Sequence, residues 1–569
     1  METIHLNGNS LTIKEVISVA RNDAKVEIDT SKLNKSRDFI TKKVKENAVI
    51  YGVTTGFGSN ADRFVDNQYS EKLQINLLRS HSCGIGENFS REIVRAIMLI
   101  RLNTLLKGNS GIQRQTAEQI QLYLNENIHP VIPSQGSVGA SGDLCPLSHF
   151  GLAIIGEGYV EFEGKIFPTD ELLKSRGISP IVLSYKEGLA LNNGTTVMTA
   201  LGVFAVFDFE RLLKLSTLNS SLMLEALCAR REAFDEKIHL ARRNDAQIQV
   251  AEWIRGFIEG STFIGIKSED LKKYGLNDDE KRKFVEFEIN QSQLNTDEKA
   301  EFEVLKDKKI IDEIAAKKKI PQDSYSIRCI PQVFGASLQA LRHAESVIEN
   351  EMNAAVDNPL IFADEEEVLS GGNFHGQPIA LVLDYLKLAI HEIGNITERQ
   401  IAKLVDRNTN HGLPSFLIKN TDGTNSGLMI PQYAAASLVS ENKVLVHPAS
   451  ADSIPTCENT EDHVSMGPIA GRQALEILGN VKKITAIAIL AAHHSAELRR
   501  HQFENRGISL QMAEATEKYF LKINEIIPDF NDNVFLEKDR FLYNDIQTIL
   551  KNYEEFAALA ENLIKKVKN

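Results

Sequence analysis

Apolar residues recur at helical spacing through much of the chain. Leu338, Leu341, Ala344, Ile348 and Met352 fall on one face of a helix. Ile379, Leu383, Leu386, Ile390 and Ile393 mark a second, and the stretch from Leu475 to Leu490 a third. A longer pattern runs from Val197 to Ala229, and a shorter apolar segment from Leu144 to Ile155. Between Glu71 and Leu105 the period (Leu73, Leu77, then Ile93, Ile97, Leu99) breaks at Ser80-His81-Ser82-Cys83-Gly84, which predicts two helices with His81 at the turn. Only Tyr159 to Phe167, short and bounded by glycines, reads as a hairpin. The first 45 residues offer little beyond a short amphipathic start.

Apolar helices of this length predict a mainly α fold built as a long central bundle rather than a sheet. The expected division is a smaller N-terminal region over 1–195, the long-helix bundle over 196–500 and a helical tail over 501–569. Residues 267–318 interrupt the bundle with Lys, Asp and Glu runs such as Asp278-Asp279-Glu280-Lys281 and Lys317-Lys318-Lys319. They read as a solvated helical insertion, or secondarily as a lid, because Gln322 and Tyr325 follow directly.

Bulk properties narrow the partners. A formal net charge of −13 with 25% charged residues gives no electrostatic footprint for nucleic acid. The five cysteines (Cys83, Cys145, Cys228, Cys329, Cys457) are scattered and show no CxxC spacing, so neither a disulfide framework nor a metal site is expected. The most apolar stretch, Ile484 to Ala492, is too short to span a bilayer, and no apolar run follows Met1-Glu2. A cytoplasmic protein without membrane or nucleic-acid partner is expected.

Candidate chemistry concentrates in two glycine-rich stretches. In Gly136-Ser137-Val138-Gly139-Ala140-Ser141-Gly142-Asp143 the glycines open backbone conformations closed to other residues. Attack of the Gly142 nitrogen on the Ala140 carbonyl, with loss of water and of the Ser141 hydroxyl, would close a methylidene-imidazolone from the chain itself. In Tyr51-Gly52-Val53-Thr54-Thr55-Gly56-Phe57-Gly58 a tyrosine sits on a glycine-punctuated loop. Alone it reads as a packing residue; beside the 140–142 loop it reads as a base. Asn193-Gly194, ahead of a long helix, places a polar group where a helix dipole favours negative charge.

Six blocks carry a family resemblance: Tyr51–Gly58, Gly136–His149, Asn193-Gly194-Thr195, Tyr325-Ser326-Ile327-Arg328, Gly371–Gly376 and Glu461–Met466. In this order, from about residue 50 to 470, they resemble the histidine and aromatic amino-acid ammonia-lyases. The resemblance implies a cofactor formed autocatalytically from Ala140, Ser141 and Gly142, without metal or external cofactor. It implies that this ring takes up the substrate amine as a covalent adduct while Tyr51 removes the β-proton. A free phenol titrates at about 10, so positive charge or helix N-termini are expected to lower Tyr51. Arg328 would clamp the substrate carboxylate, and Asn193 and Tyr325 would hydrogen-bond the ring oxygen and the amine. Gln322 would lie near the cofactor, Phe374 would press on the ring-forming loop, and Asp143 would assist dehydration. A homotetramer follows from the resemblance, with active sites shared between subunits and Tyr51 meeting Ser141 from a different chain.

Three positions bear on the substrate. Ser80-His81, Met429 and Glu461 resemble the histidine enzymes, and a carboxylate suits an imidazole N–H. L-Histidine to urocanate is the expected reaction. Thr196, where histidine enzymes have glutamine, and Arg242-Arg243-Asn244-Asp245-Ala246-Gln247 depart from that pattern. The 267–318 insertion resembles that of tyrosine aminomutases. Tyrosine or phenylalanine ammonia-lyase and tyrosine 2,3-aminomutase therefore stay open as alternatives, while retention of every motif weighs against a non-catalytic paralogue.

Overall fold

The helical periods become helices in the computed structural model, which describes residues 2–420, 422–531 and 536–567. The predicted faces are carried by Thr196–Ala226, Ile330–Met352, Gln377–Val405 and Gly467–Glu504, the last 38 residues long. The break at residues 80–84 separates Ser70–His81 from Arg91–Leu106. Helices dominate the described residues; strands form four small sheets of two or three strands. The expected hairpin is present as Tyr159–Phe162 paired antiparallel with Lys165–Pro168. The fold is mainly α.

Two compact units account for the chain, and they interleave along it. The first takes Met1–Phe207, Leu341–Lys387 and Val446–Glu476; the second takes Asp208–Ala340, Leu388–Leu445 and Ile477–Asn569.

In the first unit, the N-terminal segment is more ordered than its composition suggests. Thr3–Leu6 pairs in parallel with Lys25–Ile28 across the helix Ile13–Asn22. Thr12 starts that helix with a reciprocal pair: its hydroxyl accepts the Glu15 N–H while the Glu15 carboxylate accepts the Thr12 N–H. Helix Arg91–Leu106 is buried from Val94 to Leu106. It is therefore apolar around most of its circumference, with Arg95 and Arg101 as charged exceptions. Strand Ile85–Asn88 pairs antiparallel with Pro133–Gln135. This register ties the turn after His81 to the chain entering the Gly136–Asp143 loop, and Gly84 N–H donating to His149 Nε2 at 3.1 Å adds a second tie.

A fully buried ion pair braces the same unit. Lys186 Nζ donates to Asp357 Oδ2 at 2.5 Å, and Ser110 Oγ donates to Asp357 Oδ1. Both charges lie out of solvent, so removing one strands the other in a low-dielectric interior. Lys186→Met is expected to destabilise the protein by about 3–5 kcal/mol, read as a lowered urea midpoint.

In the second unit, Ile484 to Ala492 is buried throughout. Among the described residues no helix is long and apolar enough to cross a membrane. Ser220 Oγ donates to Gln400 Oε1, and Gln400 Nε2 donates to the Ser326 carbonyl, so a buried amide fixes the backbone between Tyr325 and Arg328. The insertion is helical, as expected, through Ser268–Lys272, Asp278–Ile289 and Thr296–Lys319. Asn277 with Glu280 and Asn295 with Glu298 form capping boxes on the two longer helices. It is not merely solvated. Phe284, Phe287, Leu294, Phe302 and Leu305 close a small core of their own, with Phe284 stacked on Phe302 at 5.3 Å. The tail carries Glu514–Ile526, Leu542–Lys551 and Tyr553–Val567; residues 532–535 and 568–569 of the expected 501–569 segment lie outside the described residues.

Candidate active site

The Gly136–Asp143 loop leaves strand Pro133–Gln135 and runs into helix Leu144–Ile154. Gly142 sits at φ +73, and a side-chain carbon there would stand 2.2 Å from the Gly194 carbonyl oxygen. No residue other than glycine fits that approach. The Asp143 N–H donates to the Gly194 carbonyl at 2.7 Å, and Asn193 Nδ2 donates to the Ser141 carbonyl at 2.9 Å. The Asn193-Gly194 turn thus holds the Ser141–Asp143 backbone at two points. From the other side, Ser141 Oγ donates to Glu461 Oε1 at 2.6 Å, and Glu461 Oε2 accepts from Thr456 Oγ1 at 2.8 Å.

Asp143 is fully buried and starts the next long helix: its Oδ2 accepts the Val197 and Met198 N–H groups at 2.7 and 3.0 Å. Burial pushes its carboxyl up to about 7 against the downward pull of those N–H groups and of Arg101. Its Oδ1, like Asn193 Oδ1, is buried without a hydrogen-bond partner.

The loop opens on a cavity of about 1090 Å³ lined by residues of the first unit. Tyr51, His81, Ala140, Ser141, Asn193, Phe374 and Glu461 all face it. Seven of the sequence-predicted residues are therefore brought together, with Gly142 directly behind the loop. Tyr51 and Ser141, expected to meet from different chains, line one cavity within a single chain. Gln74 explains why: its side chain donates to the Gly52 carbonyl and accepts the Leu189 N–H, which pins the Tyr51 loop beside the segment leading to Asn193.

Tyr51 Oη accepts the Gly58 N–H at 3.0 Å, and its ring meets Phe57 edge-on. The expected lowering of its phenol is not what surrounds it. Burial pushes it above the ordinary value of 10.0, Glu461 and Cys457 push the same way, and the Gly58 N–H pulls it down. His81 ends helix Ser70–His81 with Nδ1 2.9 Å from Ser80 Oγ. Burial lowers its imidazole, opposed by a backbone hydrogen bond to Leu77 and by Glu461. Glu461 thus acts on Ser141, Tyr51 and His81 together.

The remaining predicted residues belong to the second unit and are not among those lining this cavity. Tyr325 and Arg328 begin and end the short helix Tyr325–Arg328. Arg328 Nη1 donates to the Asp323 carbonyl at 2.5 Å, and its guanidinium lies 4.4 Å over the Tyr325 ring, which is 71% exposed. Gln322 is exposed just ahead of them, and Met429 opens helix Met429–Leu445 half-buried.

The donor set fits the ring expected from the resemblance. Gly142 carries no side chain where none fits, the Ser141 carbonyl that would become the ring oxygen is already bound by an amide donor, and the hydroxyl that would leave touches a carboxylate. Among the described residues no group of three or more His, Cys, Asp or Glu side chains is placed to hold a metal ion.

Comparison with known proteins decides the family. A family model described as aromatic amino acid lyase matches residues 11–525. The chain belongs to this family. Among curated relatives of this aromatic amino acid lyase, histidine ammonia-lyase of Geobacillus thermodenitrificans is 43% identical over 549 residues, covering 96% of each chain. Among solved structures, histidine ammonia-lyase from Trypanosoma cruzi superposes with a TM-score of 0.82 at 34% identity, covering 100% of this chain and 96% of that one. Tyrosine aminomutase from Streptomyces globisporus superposes with a TM-score of 0.83 at 33% identity, covering 99% of this chain and 98% of that one.

Two contributors to the lyase site escaped sequence reading. Thr456 holds the far oxygen of Glu461, and nothing in the local pattern marks it. Arg101 lies behind Asn193, donating to its carbonyl at 2.8 Å. Its signal was present: a charged residue within the apolar run Ile97-Met98-Leu99-Ile100-Arg101-Leu102.

Proposed function

We propose that this aromatic amino acid lyase converts L-histidine to urocanate and ammonia. The observation that carries the reading is Ser141, held by the Asn193 amide at its carbonyl and the Glu461 carboxylate at its hydroxyl, in a cavity shared with Tyr51 and His81. A methylidene-imidazolone closed from Ala140, Ser141 and Gly142 would supply an electrophilic carbon for the substrate amine, the assistance that a poor ammonium leaving group needs.

The chain's own residues do the rest. Tyr51, as phenolate, removes the β-proton. Asn193 Nδ2 holds the oxygen on which charge develops, and its unpartnered Oδ1 is an acceptor for the amine. Glu461 and His81 receive the imidazole ring through its N–H and ring nitrogen, while Phe374 presses on the ring-forming loop. Arg328 clamps the substrate carboxylate, with Tyr325, Gln322 and Met429 completing the site from a neighbouring subunit of a homotetramer. A cation contributed in that way opposes the burial that raises Tyr51. The five cysteines, all free, suit a reducing cytoplasm.

Histidine is favoured over an apolar or phenolic substrate by Glu461, because a carboxylate facing a hydrocarbon ring is left unpaired. Purified protein incubated separately with L-histidine, L-tyrosine and L-phenylalanine is expected to release ammonia and an ultraviolet-absorbing unsaturated acid from histidine. Turnover of tyrosine alone would overturn the substrate, and a β-amino acid product would make the enzyme an aminomutase. Glu461→Gln is expected to lower kcat/KM for histidine about ten- to a hundredfold, the worth of a hydrogen bond to a charged group. Intact mass of the same variant separates a binding loss from a failure to form the cofactor.

A further inference from the structure

Arg101 stands out among the charged groups that the proposed reaction does not use. It projects from the buried helix Arg91–Leu106, with 1% of its surface exposed. One guanidinium nitrogen, Nη2, donates both to the Ala190 carbonyl and to the Asn193 carbonyl. Its Nη1 runs so close to Gly194 that a side-chain carbon there would stand 2.8 Å away. Asn193, bonded from behind by Arg101, and Gly194, against which its Nη1 lies, hold the Ser141–Asp143 backbone from the front, Asn193 through Nδ2 and Gly194 through its carbonyl. Asp143 and Asp357 keep the guanidinium charged despite its burial, which lowers it only to about 10.

We infer that Arg101 is a positioning residue for cofactor formation: it fixes the Asn193-Gly194 turn so that the turn holds the Ala140-Ser141-Gly142 backbone in the geometry that cyclises. The inference rests on the proposed self-formed ring. Two features make positioning the role rather than simple bulk in the core. The planar Nη2 amino group aims its two N–H bonds in fixed directions at carbonyls three residues apart, which sets the orientation of the turn as a freely rotating ammonium does not. The contact with Gly194 also leaves the turn no room to retreat. Ring closure within a chain depends on near-attack geometry, and a displacement of about 1 Å costs about a hundredfold in rate.

The test compares wild type, Arg101→Lys and Arg101→Met, each purified as the folded oligomer. Intact mass gives the fraction of chains that have lost two waters, circular dichroism gives the fold, and kcat is normalised to the dehydrated fraction. Folded Arg101→Lys is expected to retain most of its water, dehydrating about a hundredfold more slowly than wild type, while KM of the dehydrated fraction stays near normal. Arg101→Met is expected to remain undehydrated. A folded Arg101→Lys that is fully dehydrated, at the wild-type rate, overturns the inference whatever Arg101→Met does. Failure of both variants to fold assigns Arg101 to stability and overturns it as well. A wild-type chain that keeps both waters instead overturns the cofactor itself, a failure distinguishable from the other two.

Discussion

Ser141→Ala is expected to fold normally, to show no double dehydration by mass, and to lose histidine turnover by at least about 10⁴-fold, or about 5.5 kcal/mol of barrier. The size follows from what the hydroxyl does. In the proposed ring closure its departure would create the exocyclic carbon, so an alanine would leave the substrate amine with no covalent acceptor. The fold is expected to survive because Ser141 is half-buried at the cavity wall and its hydroxyl hydrogen-bonds Glu461, itself on the cavity wall. Asn193 still holds the residue's carbonyl, so the loop keeps its shape. Near-normal turnover in this variant would remove the self-formed ring from the reaction.

Tyr51→Phe tests the other half of the chemistry. It is expected to dehydrate fully and to lose about 10²- to 10⁴-fold in kcat, the usual worth of a positioned general base. The pH dependence sharpens the assignment. In the proposed reaction the phenolate is the competent form, and burial with Glu461 and Cys457 raises the phenol above 10.0. Activity limited by this group rises with pH through neutrality, about tenfold per unit while the phenol is mostly protonated. Loss of the hydroxyl should flatten that rise. A Tyr51→Phe enzyme with an unchanged slope would take the base role away from this residue.

Sequence pattern revealed the helices because their apolar faces are long and regular. It marked the Gly136–Asp143 loop through its glycines, and the structure places Ala140 and Ser141 in one cavity with Tyr51 and Asn193. It did not reveal what depends on distant partners. The insertion looked solvated because its charges outnumber its phenylalanines along the chain, yet Phe284, Phe287 and Phe302 converge in space. The parallel pairing of Thr3–Leu6 with Lys25–Ile28 requires contact across an intervening helix that no local period announces. The surroundings of Tyr51 were expected to be cationic from the chemistry required of it. The first unit surrounds it with Glu461 and Cys457 instead, and Arg328 lies in the second. Gln74, which pins the Tyr51 loop, was an unremarked glutamine on a helix until its two backbone partners placed it.

The bond between Ser141 and Glu461 has a built-in expiry. In the newly made chain the carboxylate is occupied by a hydroxyl 2.6 Å away. The ring closure proposed above would expel that same hydroxyl as water and leave the carboxylate oxygen vacant for an imidazole N–H. On that proposal a nascent chain is its own zymogen, with its ligand seat blocked until its reactive centre is finished.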